Sequence, residues 1–265
     1  MSERVHPEPV HAELVHYGVD RGIATVTLDS PSKRNALSAQ LVGELAEHLE
    51  TAAADGSVRA VVLTHTGRVF CSGADLDDAT PGGGPADSMR RMLAVLRTVL
   101  SMAKPVIARV DGPARAGGLG LIGACDIVLA SQSANFCFTE VRLGLAPAII
   151  SLTTLPGMTS RAVSRYYLTG ETFDAAAAEA AGLVTVATDD LDTELETLLA
   201  ALRRCSPQGL AETKALTSRA GLAALDAGAD EMRELSARLF ASEEAHEGMT
   251  SFLQKRPPRW APDAP

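Results

Sequence analysis

Val106-Ile107-Ala108-Arg109-Val110-Asp111-Gly112-Pro113-Ala114-Arg115-Ala116-Gly117-Gly118-Leu119-Gly120 decides how the rest of the chain is read. Its first part is apolar and rich in β-branched residues, as a buried strand is. Asp111-Gly112-Pro113 turns the chain, and the glycine loop then opens a short helix running through Ala124. The same order occurs upstream: residues 58–64 read as a buried strand, and Phe70-Cys71-Ser72-Gly73-Ala74-Asp75-Leu76 follows it. Repeated strand, turn and helix predict an α/β core with helices laid against a sheet.

Working outward, residues 14–17 and 23–28 flank Gly18-Val19-Asp20-Arg21-Gly22 and read as a hairpin. Asp29-Ser30-Pro31-Ser32 breaks the second strand, Ser38 is a candidate N-cap, and Leu41, Val42, Leu45 and Leu49 follow at helical spacing. Residues 89–102 predict a helix that ends before Lys104-Pro105. Residues 127–130 and 135–138 read as short strands, and residues 79–85, with Gly82-Gly83-Gly84, as the least regular stretch. Beyond Leu145 the pattern is helical over 148–155, 161–168, 174–181, 191–204, 207–220 and on to about 246.

The 265 residues are enough for a substantial core, and 46% are hydrophobic. A formal charge of −9 argues against a nucleic-acid surface, which needs clustered cations to neutralise phosphates. The 4% aromatic content argues against a base-stacking platform. Cys71, Cys125, Cys137 and Cys205 are far apart with no C-x-x-C pair, which predicts reduced thiols and a cytoplasmic protein. The N-terminal residues lack an apolar signal core, and no run of about 18 apolar residues occurs, so neither secretion nor a membrane span is expected.

Each glycine loop alone reads as an ordinary tight turn or a close packing contact. Gly117, Gly118 and Gly120 have the wrong spacing for a dinucleotide fingerprint, and no Gly-Lys-Ser/Thr follows as a P-loop requires. A Ser–His–Asp triad has no support, since Ser72 has no histidine partner and G-x-S-x-G is absent. His65 reads as surface, and no residue pattern around it suits a metal. What survives is a pair of loops offering backbone N–H groups, the second at a helix N-terminus whose dipole favours negative charge. Two such donors on one carbonyl oxygen make an oxyanion hole, with Ala74 and Gly117 as the expected donors; one donor is typically worth about 3–4 kcal/mol of barrier. Glu140, in Phe136-Cys137-Phe138-Thr139-Glu140-Val141, is either a surface acid or a partly desolvated one. Alternation places it with Phe136 and Phe138, which favours the inward reading and a raised pKa suited to proton transfer. Lys33-Arg34 is a solvated basic pair or a holder of a phosphate-bearing ligand.

With these residues in place the chain resembles the crotonase superfamily, the enoyl-CoA hydratases and isomerases, from about Glu13 to Trp260. The likeness rests on Arg34-Asn35-Ala36-Leu37-Ser38, the two glycine loops, Cys125-Asp126-Ile127, Leu168-Thr169-Gly170, Ala180-Ala181-Gly182-Leu183-Val184 and Phe252-Leu253-Gln254-Lys255-Arg256-Pro257. It implies an α/β fold, a crotonase-like spiral of ββα units over residues 1–200, and a helical C-terminal trimerisation region over 201–265. It also implies a homo-oligomer, trimer or hexamer, acting on an acyl-CoA thioester. No separate cofactor or metal is implied, coenzyme A being part of the substrate.

By the same carry-over the thioester oxygen lies between the Ala74 and Gly117 amides, and CoA lies along Lys33, Arg34, Ala36, Ser72, Gly73, Asp75, Leu76 and Gly118. Phe252 and Lys255 would serve a neighbouring subunit's CoA site. Typical hydratases of the family carry two glutamates; Glu140 matches the second and Gly120 stands at the first. One acid suffices for isomerising a 3-enoyl-CoA, and for hydration if water is positioned otherwise. The stretch from Phe136 to Ser151, with Arg165-Tyr166-Tyr167-Leu168-Thr169, is similar to the methylglutaconyl-CoA hydratase branch, so hydration of a branched or glutaconyl-type 2-enoyl-CoA is the first expectation. Isomerisation and a non-catalytic acyl-CoA-binding protein are the alternatives.

Overall fold

A computed structural model describes residues 12–75 and 85–261. Leu76 and the glycine-rich stretch named above lie outside these residues, apart from Pro85. The first hairpin is β1 (Val15–Asp20) against β2 (Ile23–Leu28), joined at Arg21-Gly22 with both residues at positive φ. The glycine is needed there because the turn demands that backbone. Next come α1 (Ala39–Ala54), β3 (Ala60–His65), α2 (Pro85–Ser101) and β4 (Val106–Val110). Ser38 caps α1 as expected, its Oγ accepting from Leu41 N at 3.2 Å.

Then follow β5 (Ala114–Arg115), α3 (Gly117–Ala124), β6 (Ile127–Ser131), β7 (Asn135–Cys137) and a 3-10 turn (Glu140–Leu143). The rest is α4 (Ala148–Thr154), α5 (Ser160–Thr169), β8 (Phe173–Asp174), α6 (Ala175–Ala181), β9 (Val186–Thr188), α7 (Leu191–Arg203), α8 (Pro207–Thr217), α9 (Arg219–Phe240) and α10 (Glu243–Leu253). The region after Leu145 is therefore not all helix: β8 and β9 interrupt it, and the final helical stretch breaks at Ala241-Ser242.

Two sheets result. Six strands run in the order β1-β2-β3-β4-β6-β9, parallel except for the hairpin, and three run β5-β7-β8. Both faces of the large sheet are covered, and the pleat sorts its residues accordingly. Val61, Leu63, Val106, Ala108, Val128 and Ala130 face the larger core, shared with α1, α2 and α3. Their strand neighbours Ala60, Val62, Ile107 and Leu129 face Leu191, Leu199 and Leu202 of α7. The C-terminal helices are tied to this core by Lys214, which pairs with Asp126 at 2.8 Å and donates to Val99 O and Lys104 O. Three acceptors satisfy a buried ammonium, which explains the place of Asp126 in the sequence.

All four cysteines are free: Cys71 and Cys137 buried, Cys125 half-buried and Cys205 exposed. Among the described residues no helix is long and apolar enough to cross a membrane, and no group of three His, Cys, Asp or Glu could hold a metal ion.

Candidate active site

The small sheet brings the site together. β5 and β7 are parallel with Arg115 opposite Cys137, so both strands end on the same side. Past β5 the chain gives Ala116-Gly117; past β7 it gives Phe138-Thr139-Glu140. Arg115 fixes the pair, its Nη1 donating to Ala114 O and Asn135 O at 2.8 Å, and Ala116 N donates to Cys137 O at 3.2 Å.

The first loop reaches the same place by backbone pairing. Arg115 N donates to Cys71 O at 2.9 Å, Ser72 N to Arg34 O at 3.1 Å, and Leu37 N to Gly73 O at 2.8 Å. Gly73 has φ 93, and a Cβ there would lie 3.0 Å from Ala116 Cβ; one on Gly118 would lie 2.8 Å from Cys71 Cβ. The glycines are thus where two backbones touch. Ala116 itself sits at φ 45 and ψ −117, a strained non-glycine conformation immediately ahead of the helix. Among the described residues neither Ala74 N nor Gly117 N donates to a backbone acceptor. Ala74 is exposed and Gly117 half-buried.

Glu140 does not continue the strand. β7 stops at Cys137, both its faces are buried, and Glu140 begins the 3-10 turn, so strand alternation is not what aims it. The side chain nonetheless points inward. Its Oε2 is sealed from solvent and has no hydrogen-bond partner among the described residues. Burial pushes the carboxyl up from its ordinary 4.5 to about 7. Phe138 packs on Tyr167 with ring centres 4.4 Å apart, and Tyr167 Oη meets Thr154 Oγ1 at 2.6 Å. Because Thr154 Oγ1 already donates to Ile150 O at 2.8 Å, the tyrosine is the donor to the threonine. The Tyr167 phenol is raised by burial, and the nearby Glu140 charge adds to this.

The other expected contacts divide. Lys33, Arg34, Ala36, Ser72, Gly73, Ala74, Asp75, Gly117 and Gly118 form one cluster, with Lys33 Nζ paired to Asp75 at 2.9 Å. Among the described residues no hydrogen bond or ion pair joins Phe252 or Lys255 to it: Phe252 is 58% exposed at the end of α10, and Lys255, at φ 53, is exposed just beyond. His65 is not a surface residue. It is half-buried, accepts from Asp111 N at 3.1 Å, and sits edge-on to Phe70, so burial lowers its pKa.

Asn35 was not among the expected site residues, yet it knots the first loop. Fully buried at φ 51, it accepts from Ser30 N at 2.7 Å and donates to Thr66 O and Val69 O at 3.1 and 2.8 Å. Asparagine tolerates the left-handed region better than most residues, which was the available signal. Asn35→Ala strands the Ser30 amide and takes one donor each from Val69 O and Thr66 O, the latter keeping His65 Nδ1 at 3.2 Å, and is expected to cost about 2–3 kcal/mol in denaturant unfolding. A loss below about 0.5 kcal/mol would show that the knot is not needed.

A family model described as enoyl-CoA hydratase/isomerase matches residues 18–263. The chain is 36% identical over 242 residues to the 2,3-dehydroadipyl-CoA hydratase of Escherichia coli K12, covering 89% of this chain and 94% of that one. It is 31% identical over 258 residues to the 1,2-epoxyphenylacetyl-CoA isomerase of the same organism, covering 94% and 98%. The crystal structure of an enoyl-CoA hydratase from Mycobacterium avium superposes with a TM-score of 0.88 at 49% identity, covering 94% of this chain and 99% of that one.

Proposed function

The chain belongs to the enoyl-CoA hydratase/isomerase family, and from that premise we propose that it hydrates a 2-enoyl-CoA with Glu140 as its single proton-transfer group. The observation that carries this reading is the sealed Glu140 Oε2, without a hydrogen-bond partner, on the turn after β7, with the Gly117 amide just past the parallel β5 and the Ala74 amide on the loop paired to it, neither amide having a backbone acceptor among the described residues. The thioester oxygen accepts from Ala74 N–H and Gly117 N–H. The Glu140 carboxylate takes a proton from water as its oxygen bonds to C3, and the C2=C3 electrons move into the enolate. The enolate then collapses as Glu140 returns that proton to C2. One water is consumed, its hydroxyl at C3 and its hydrogen at C2, and the carboxylate is regenerated. Charge develops on the thioester oxygen, where fixed dipoles stabilise it most.

CoA is taken to lie along Lys33, Arg34, Ala36, Ser72, Gly73, Asp75, Leu76 and Gly118, with Phe252 and Lys255 offered to a neighbouring subunit of a trimer or hexamer. The exposure of Phe252 supports that placement. A branched or glutaconyl-type acyl group is the proposed substrate class. Support comes from the motif resemblance, and a relative is named as a 2,3-dehydroadipyl-CoA hydratase.

Gly120 favours a second reading, isomerisation of a 3-enoyl-CoA, in which Glu140 takes a proton from C2 and returns it at C4. One incubation separates the possibilities: crotonyl-CoA, 3-methylglutaconyl-CoA and a 3-enoyl-CoA, with enone absorbance and free thiol followed together. Hydration is expected to consume the chromophore; isomerisation creates it, and thiol release marks hydrolysis. Inactivity on all three with retained CoA binding would sink both readings in favour of a binding protein.

A further inference from the structure

Gly117 and Gly120 lie three residues apart in α3 and share one of its faces. A helical Cβ leans toward the N-terminus, so a side chain at 120 would project along that face back toward the Gly117 amide. That volume is already filled. A Cβ on Gly120 would lie 2.6 Å from Ile150 Cγ2 and 3.0 Å from Ile150 Cβ. Ile150 cannot easily yield: it is β-branched and therefore stiff at χ1, and only 4% exposed. Its helix is pinned on both sides. Thr153 Oγ1 donates to Gly120 O at 2.9 Å, and Thr154 is tied to Tyr167. A Cβ on Gly228 of α9 would meet Leu152 of α4 at 2.8 Å.

We propose that Ile150 is a specificity-determining residue of the site: its side chain takes the space that a second acid at position 120 would need, and so sets how much hydration the site supports relative to isomerisation. The α3 side of the acyl site is then an apolar wall, and Glu140 is the acid left to handle water. Glycine at 120 is the consequence of Ile150 as much as the loss of an acid. This inference rests on the acyl-CoA reading above.

Four proteins test it: wild type, Gly120→Glu, Ile150→Ala and the double variant, each assayed for crotonyl-CoA hydration, 3-enoyl-CoA isomerisation and thermal midpoint. Gly120→Glu alone is expected to lower the midpoint by several degrees and weaken both activities. The double variant is expected to recover the midpoint and raise the hydration-to-isomerisation ratio about tenfold or more, as a newly seated acid should. A Gly120→Glu protein as stable as wild type, a double variant no more stable than that single one, or an unchanged ratio in an active double variant would each overturn the proposal. If the double variant does not fold, Gly120→Ala with and without Ile150→Ala decides the steric point: the alanine should lower the midpoint and the companion restore it, and no recovery overturns the proposal. Wild-type inactivity on every CoA ester would instead bring down the acyl-CoA reading and the specificity role with it, leaving the midpoints as a measure of packing alone.

Discussion

Glu140→Gln is expected to cut turnover by about 10²- to 10⁴-fold, the usual contribution of a positioned proton-transfer group, while leaving the protein folded. The amide matches the shape of the acid but can neither accept nor return the proton. The pH dependence supplies a second readout. Burial pushes Glu140 up to about 7, and the step needs the carboxylate, so wild-type kcat/KM should rise through about pH 7 from the acid side. The variant's residual rate should be flat there.

Stability should move the other way. A carboxyl raised from 4.5 to about 7 binds a proton more tightly in the folded state, so its contribution is greatest at low pH and is lost as pH rises through that window. By linkage the charged form costs on the order of 3 kcal/mol above pH 7. Gln has no charge to bury, so the variant should be more stable than wild type at pH 8 and similar to it at pH 4. Retained activity with an unchanged pH profile would remove Glu140 from the mechanism.

How much of this was visible in the sequence depends on which atoms do the work. The meeting of the two glycine loops was legible because close backbone approach leaves a mark: Gly73 and Gly118 stand where a Cβ would crowd Ala116 or Cys71. The central strands of the large sheet were legible because burial on both faces demands continuous apolar runs such as Ala60-Val61-Val62-Leu63. Short strands were not. Phe173–Asp174 and Val186–Thr188 are too brief to show a period, and neighbouring helices hide them. The break between α9 and α10 did carry a signal, since Ser242 precedes Glu243 and Glu244 and its Oγ accepts from Ala245 N at 3.1 Å.

Glu140 is the instructive case. Alternation with Phe136 and Phe138 pointed it inward, but Cys137 between them is also buried, so the strand has no solvent face to alternate with. The direction comes from the turn that begins at Glu140. The Ile150 contact with Gly120 and the Asn35 knot depend on residues about 30 positions apart, 30 for the former and 31 and 34 for the two carbonyls that accept from Asn35, and spacing along the chain cannot convey them.

The turn bearing Glu140 has its own support, and disturbing it should cost nearly as much as losing the acid. α10 lies across the Glu140–Leu143 turn with no room for side chains between them. A Cβ on Gly248 would sit 2.5 Å from Leu143 C and 2.7 Å from its Cα; one on Gly144 would sit 2.6 Å from Glu244 C. These neighbours are backbone, so no rotamer change relieves the overlap and either α10 or the turn must shift. Gly248→Val is therefore expected to lower stability by about 1–3 kcal/mol, the usual penalty of overpacking. If the turn yields, displacing the carboxyl by about 1 Å would slow turnover about 10²-fold. Assays under conditions where the variant is folded separate the two effects: kcat should fall even when circular dichroism is native. If α10 yields instead, kcat stays near wild type and only the unfolding midpoint drops, and the catalytic turn is then held from the β7 side by the Ala116–Cys137 pairing rather than by the C-terminal helix.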